Sequence, residues 1–146
     1  QDITNIDELN KLDLMINLEQ GEIIFSRSKI FWKDDLEIVL NEGLLNYDEN
    51  EIFLNGKLII NAKNIDDFYK SFQIKKADRK KIEKIELDFV YNFDKNKFLF
   101  DNIRIDNNSD ENLNRFIDDY NSNEKKFFNK VTFKNFINNF FSNYEG

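Results

Sequence analysis

The sequence predicts an α+β fold, an antiparallel sheet built of β-hairpins with amphipathic helices at its C-terminal end, and three observations carry that prediction. Apolar residues recur at every second position through two long stretches, about residues 11–62 and 83–106. The period changes to that of a helix at about residues 64–73, and again at about 110–120 and 132–143. The resulting order, strands, helix, strands, two helices, fits an antiparallel sheet with helices packed on one face or at one end. At 146 residues, 40% of them hydrophobic, the chain is long enough for one domain with a real core and too short for two of ordinary size, so residues 1–146 are read as a single β-rich domain.

Each element has its own local reason. Leu12, Leu14, Ile16 and Leu18 share one face of a strand, and a tight turn at Gln20-Gly21 sets Leu18 beside Ile23 and Ile16 beside Phe25. Two longer strands follow around a turn at Asp48 to Asn50, with Leu36, Ile38 and Leu40 on the first and Ile52, Leu54, Leu58, Ile60 and Ala62 on the second; Gly43 and Gly56 fall inside them. Asn64 is placed to cap a helix whose Ile65, Phe68, Tyr69 and Phe72 lie one turn apart, with Asp66 and Asp67 in the first turn, where the helix dipole favours negative charge. The basic segment "KKADRKKIEK" reads as a turn, or a further helical turn beginning near Asp78.

In the third hairpin Ile85, Leu87, Phe89, Tyr91 and Phe93 occupy one face, and Lys84, Glu86, Asp88 and Asn92 the other, the pattern of a sheet wet on one side. A turn at Asp94 to Lys97 sets Phe93 opposite Phe98 and Tyr91 opposite Phe100. On the return strand the phase slips between Phe100 and Ile103, which predicts a bulge near Asp101-Asn102 that brings Ile103 and Ile105 back to the apolar face. Two helices close the chain, one carrying Leu113, Phe116, Ile117 and Tyr120, the other Phe133, Phe136, Ile137, Phe140, Phe141 and Tyr144, with Ser109 and Thr132 as N-caps.

Composition excludes several functions. With no Cys and no His there is no disulfide, no thiolate or imidazole metal site and no Ser-His or Cys-His dyad. A formal net charge of −7 disfavours a nucleic-acid surface, which needs concentrated Lys and Arg. No stretch approaches the roughly 20 apolar residues that span a bilayer. The start "QDITNIDELNK" has neither an initiating Met nor the basic-then-apolar order of a signal peptide, so the chain is read as beginning in mid-protein or after processing.

Asp106, Asn108 and Asp110 have the spacing of a calcium loop, but Glu111 stands where the sharp turn needs Gly and Ile117 where a bidentate Glu belongs. Asp34-Asp35 and Asp118-Asp119 point apart as neighbours do and read as solvated surface. With four glycines in all, no Gly-rich phosphate loop is present, and an enzyme here would be built from carboxylates, Lys and Tyr alone. No catalytic residue, metal or cofactor is assigned.

Two features remain open to more than one reading. Lys75, Lys76, Arg79, Lys80, Lys81 and Lys84 form the one concentrated basic patch, either a solvated turn that keeps a sheet edge soluble or a contact for anionic lipid headgroups, each basic residue adding about 1 kcal/mol near a charged leaflet. The apolar strand faces either close against the Phe-rich helices as a core, the default reading, or leave part of a sheet uncovered as a groove, and the two are compatible at different ends of one sheet.

Three segments, "FWKDDLEIVLNEGLLNYDENEIFLNGKLIINAKNIDDFYKSFQI", "KIELDFVYNFDKNKFLFDNIRID" and "FNKVTFKNFINNFFSNYEG", resemble the C-terminal region of bacterial AsmA-like (AsmA/TamB-type) envelope proteins in strand rhythm, in the join of "GKLIINA" to "KNIDDFYKSF", and in the Phe-rich ending. The likeness runs from about Ile30 to the end. It implies a curved sheet with an apolar concave face in a long protein, anchored in the inner membrane by an N-terminal helix and extending into the periplasm, where it serves outer-membrane biogenesis and carries phospholipid. The chain would be a C-terminal fragment, associated with the membrane only through the missing N-terminal part of its parent, with phospholipid and other envelope proteins as partners.

The family supplies no catalytic residues. Its lipid face maps by pattern onto Leu54, Leu58, Ile60, Ile85, Leu87, Phe89, Tyr91 and Phe93. The strands are too few for a long groove, so the piece would complete or cap a sheet. A different class of function is a self-contained interaction domain that binds a partner through an edge strand or through the Phe-rich final helix.

Overall fold

Alternation becomes sheet wherever turn residues let the chain reverse. The computed structural model of the protein describes residues 9–123 and 129–146. It contains β1 (Leu9–Asp13), β2 (Ile16–Glu19), β3 (Glu22–Phe25), β4 (Ser28–Trp32), β5 (Leu36–Asp48) and β6 (Glu51–Ala62), then helix α1 (Asp66–Ser71) and a 3-10 turn (Lys76–Asp78), then β7 (Lys84–Asn92) and β8 (Lys97–Ile105), and last α2 (Glu111–Ser122) and α3 (Lys130–Asn143). The eight strands form one open, curved antiparallel sheet, and the helices lie mostly C-terminal to it, an α+β fold. Left-handed Gln20 and Gly21, with φ of 51° and 85°, close the β2–β3 hairpin, and Glu49 and Asn50, with φ of 46° and 66°, close β5–β6. The pairings Ile16 with Phe25 and Leu18 with Ile23 are those expected.

The topology is a meander in which the first two passes are each broken in the middle. β3 and β4 lie end to end along one edge of β5, β3 on Gly43 to Leu45 and β4 on Leu36 to Leu40, while β6 takes the other edge. β2 pairs with β3 and β1 with β4. Leu12, Leu14, Ile16 and Leu18 are therefore not on one strand: Leu14 and Met15 lie in the break. A side chain takes the place of the ladder there, for the buried Ser28 hydroxyl accepts the Met15 N–H at 3.0 Å, and Ser26 N–H donates to the Met15 carbonyl at 3.1 Å.

Bulges supply the curvature. The one expected near Asp101-Asn102 is present: Asn102 takes φ 51°, the ladder shifts between Glu86 and Asp88, and Ile103 and Ile105 return to the buried face. A second, unforeseen from the sequence, shifts β5 against β6 between Asn41 and Leu44, with Glu42 at φ 54°. Beside it the strand backbones come close: a Cβ added to Gly56 would sit 2.9 Å from the Gly43 Cα. Because the clash is with backbone, Gly56→Ala is expected to destabilise by about 1–3 kcal/mol, as overpacking does, read as a fall in the urea midpoint.

Three local expectations are corrected. The β7–β8 turn spans 93–96, so Tyr91 faces Phe98 and Phe89 faces Phe100, and Phe93 leaves the strand. The Asn92 side chain closes the turn early by accepting the Lys95 N–H at 2.8 Å, with Asn96 left-handed at φ 48°. The helical turn in the basic segment ends at Asp78 instead of beginning there. The N-caps are Asp110, which accepts from Leu113 N–H, and Asn129, which forms a capping box with Thr132. Asn64 does accept the Asp66 N–H at 3.1 Å at the start of α1.

The helices cover one face of the sheet, and aromatic rings hold them there. Tyr69 of α1 stands edge-on to Phe141 of α3 at 5.0 Å, Phe72 meets Phe133 at 5.7 Å, and Phe136 meets Phe100 of β8 at 5.0 Å, so α3 bridges α1 and the far side of the sheet. Ile65, Ile74, Ile82, Leu113, Ile117 and Phe140 complete the buried cluster. α2 also occupies the outer edge of β8. The Asn121 carboxamide accepts the Phe100 N–H at 3.0 Å and donates to the Phe100 carbonyl at 2.7 Å, filling the hydrogen bonds another strand would take. Asn121→Ala is expected to lower stability by about 1–3 kcal/mol through the two unpaired backbone groups, with Asn121→Asp, which keeps the acceptor and loses the donor, falling between.

Candidate functional site: an apolar sheet face

Directly opposed residues of an antiparallel ladder share a face. Leu12 opposes Ile30, Ile30 opposes Ile38, Ile38 opposes Ile60, Ile60 opposes Ile85 and Ile85 opposes Ile105, an aliphatic row across the whole sheet. A parallel row runs Leu18, Ile23, Leu45, Leu54, Tyr91, Phe98. Cover declines along the first row: Ile105 is 1% exposed and Ile85 6%, Ile60, Ile38 and Ile30 are half-buried, and Leu12 is 57% exposed. Leu18 heads the second row at 75%. The helices thus seal the β7–β8 side and leave the β1–β2 side open.

Leu54, Leu58, Ile60, Ile85, Leu87, Phe89 and Tyr91 lie together on this face. Ile85, Leu87 and Phe89 are buried core, while Leu54, Leu58, Ile60 and Tyr91 are half-buried against it. Phe93, on the turn, is about half exposed and keeps its ring 4.8 Å from Tyr91. Sequence reasoning did not single out Trp32 or Ile30, which lie on the same face at the junction of covered and open sheet. The signal available was the one Trp of the chain, two residues after Ile30 on the same alternation.

Between α3 and the β4–β6 region the cover is incomplete. A cavity of about 270 Å³ is lined by apolar side chains throughout, among them Trp32, Ile38, Leu58, Phe133, Phe136 and Ile137. Trp32 is 6% exposed, with its ring against Phe68 and Phe72 at 5.6 and 5.5 Å, and among the described residues its indole N–H has no hydrogen-bond partner. The other face carries a polar hollow of about 630 Å³ near Lys57, Asp88, Asp101 and Asn121, where Asn102 donates to Asp88 at 2.7 Å.

The basic segment is divided. Lys75, Lys76 and Lys81 are exposed, whereas Arg79 Nε donates to the Ile74 carbonyl at 3.0 Å and the Lys80 carbonyl accepts the Tyr69 hydroxyl at 2.8 Å. Lys84 belongs to β7 and pairs with Glu86 at 2.9 Å on the polar face. Burial pushes the Tyr69 phenol up to about 12, against the opposing pull of its bond to Lys80. Hydrogen bonds from Lys95 and then Asn92 hold the Glu51 carboxyl below its ordinary value.

The acidic loop has structural work. Asp106 accepts the N–H groups of Glu83 and Lys84 at 3.0 and 2.7 Å, and Asp110, besides capping α2, accepts Glu145 N–H at 3.2 Å. Among the described residues no three acidic side chains converge as a metal site would require. Nor, among them, is any helix long and apolar enough to cross a membrane.

Fold and face define a class: an α+β domain with one antiparallel sheet whose apolar face is roofed by helices at one end and open at the other. Comparison with protein-family models, with curated proteins and with solved structures gives no match.

Proposed function

We propose that this chain is a non-enzymatic terminal module of an AsmA-like envelope protein, on the periplasmic side of the bacterial inner membrane, which completes or caps an apolar sheet that holds or conducts phospholipid in outer-membrane biogenesis. The observation that carries the reading is the aliphatic row from Ile105 to Leu12, sealed at one end and exposed at the other. A sheet of this form closes a longer apolar surface at β8 and continues it at β1–β2. Lys75, Lys76 and Lys81, exposed near the α1 end, are the residues left to meet headgroups. Phospholipid and neighbouring envelope proteins are the partners of this reading.

The test is native mass spectrometry with lipid extraction, on this chain and on one lengthened at its N-terminus by the strands of its parent. Phospholipid retained by the longer chain, and lost in Leu12→Asp with Leu18→Asp while the fold is kept, supports the reading. A lipid-free protein in both forms overturns it.

One observation favours a second reading, an interaction domain that receives a partner strand. The β1–β2 edge is free among the described residues, while the β8 edge is occupied at Phe100 by Asn121. The final helix is less suited to that role, because its Phe140 and Phe141 are buried.

A further inference from the structure

We infer that the exposed β1–β2 edge pairs with the same edge of a second copy of this chain, antiparallel about a two-fold axis at Met15. The inference rests on the second reading above, in which this edge receives a partner strand, and it names the partner. β1 and β2 run in one direction, end to end along β4 and β3, so residues 11–19 form a single line at the rim of the sheet. Leu12, Leu14, Met15, Ile16 and Leu18 on that line are each more than half exposed. Met15 turns its N–H to Ser28 and its carbonyl to Ser26, both inward. By the alternation of an antiparallel strand, Ile16 and Leu18 turn theirs outward, where they are a template for another strand.

The charge pattern of the edge selects a second copy. In "KLDLMINLE", a two-fold axis through Met15 sets Lys11 opposite Glu19 of the second copy, Leu12 opposite its Leu18, Asp13 opposite its Asn17 and Leu14 opposite its Ile16, and the reverse. Apolar residues meet apolar ones and no two like charges meet. Glu19 already faces the like charge of Glu22 across the β2–β3 hairpin, so the incoming Lys11 ammonium relieves a repulsion as it pairs. Lys11 gives up only an exposed contact with its own Asp13, at 3.0 Å, which is worth little. Other axes fit less well. One at Ile16 sets Asp13 against Glu19, one at Asp13 sets that residue against itself, one at Leu14 leaves Lys11 opposite Asn17, and one at Leu12 engages β1 alone. An axis between two residues sets side chains of the apolar face against those of the polar face.

The pairing also completes the apolar face. The axis is perpendicular to the sheet, so both apolar faces lie on the same side. The row that ends at Leu12 in one copy continues into the row headed by Leu18 in the other. The two open ends meet, and the helices roof the sheet at both of its outer ends.

An edge contact this short belongs with interfaces under about 1,200 Å², so the dissociation constant should be on the order of 10–100 μM and the chain monomeric at about 1 μM. Sedimentation equilibrium over that range measures it. Lys11→Glu and Glu19→Lys should each raise the constant about tenfold, because two symmetric pairs become repulsive at once. An equimolar mixture of the two variants has opposite charges at both contacts again and should dimerise about as tightly as the unsubstituted chain. Both positions are exposed, and far-UV circular dichroism checks that each variant keeps its fold.

A chain that stays monomeric to about 500 μM, well above the constant expected of so small an interface, overturns the inference. So does a dimer indifferent to the charge exchange, the result expected if two copies stacked their apolar faces. A monomer whose edge still binds a synthetic alternating Thr-Val peptide, read as slowed hydrogen exchange at the Ile16 and Leu18 amides, dismisses the second copy and leaves the strand-receiving reading standing. A monomer that binds no such peptide sinks both.

Discussion

Phe141→Ala should destabilise the protein by about 3–5 kcal/mol, the range for an aromatic ring removed from a packed core, and so remove a large part of the roughly 5–15 kcal/mol that a domain has in total. The Phe141 ring is 2% exposed and meets Phe68, Tyr69 and Phe140, so its loss undocks α3 from α1 as well as opening a void. Leu18→Asp, on the same face of the fold but 75% exposed, should change stability by no more than about 0.5 kcal/mol. Urea unfolding of both variants, with the slope checked for constancy, reads the contrast. Equal large losses would mean that the β1–β2 end is covered after all; equal small losses would mean that α3 does not seal the sheet.

That contrast also marks how far the sequence was legible. Period-2 alternation located the strands on both sides of α1, and the slip between Phe100 and Ile103 located the bulge, because both are properties of neighbours along the chain. What alternation cannot show is which part of an apolar face another element covers. Leu18 and Phe89 have the same pattern in the sequence, and only the packing of α2 and α3 makes one exposed and the other core.

Side-chain substitutes for backbone bonds escaped notice for the same reason. Ser28 bonds to Met15 across 13 residues and Asn121 to Phe100 across 21, yet each decides where a strand breaks or where an edge is closed. The turn after Asn92 failed at shorter range. Its shift follows from one carboxamide that binds Lys95 N–H with its oxygen and Glu51 with its nitrogen, a choice made by a partner 41 residues away. The Trp32 N–H, unpaired among the described residues, belongs with these: a buried donor without an acceptor is a property of its surroundings, not of the residue.

The second large effect is alkaline. The chain has no His and no Cys, so no side chain titrates at its ordinary pKa between about pH 6 and 8 and stability should be level there. Tyr69 changes that at high pH. Its side chain is fully buried and hydrogen-bonded to the Lys80 carbonyl, and its pKa stands near 12 in the fold against 10.0 in the unfolded chain. A raised folded pKa means that the native state holds the proton more tightly. The contribution is fully present below pH 10 and is lost as the pH rises toward 12, at up to about 1.4 kcal/mol per pH unit and on the order of 2–3 kcal/mol in all. Tyr120, raised by burial in the same direction, adds to the slope.

Tyr69→Phe isolates the term. At pH 8 it should be about 1 kcal/mol less stable for the lost hydrogen bond and the unpaired carbonyl. Having no phenol to ionise, it should then decline less steeply, so that the two stability curves draw together above pH 10 and cross before pH 12. Curves that stay parallel would show that the phenol reaches water in the native state. α1 would then be fraying from the sheet, and the roof over the sealed end of the apolar face would be looser than the Tyr69–Phe141 contact implies.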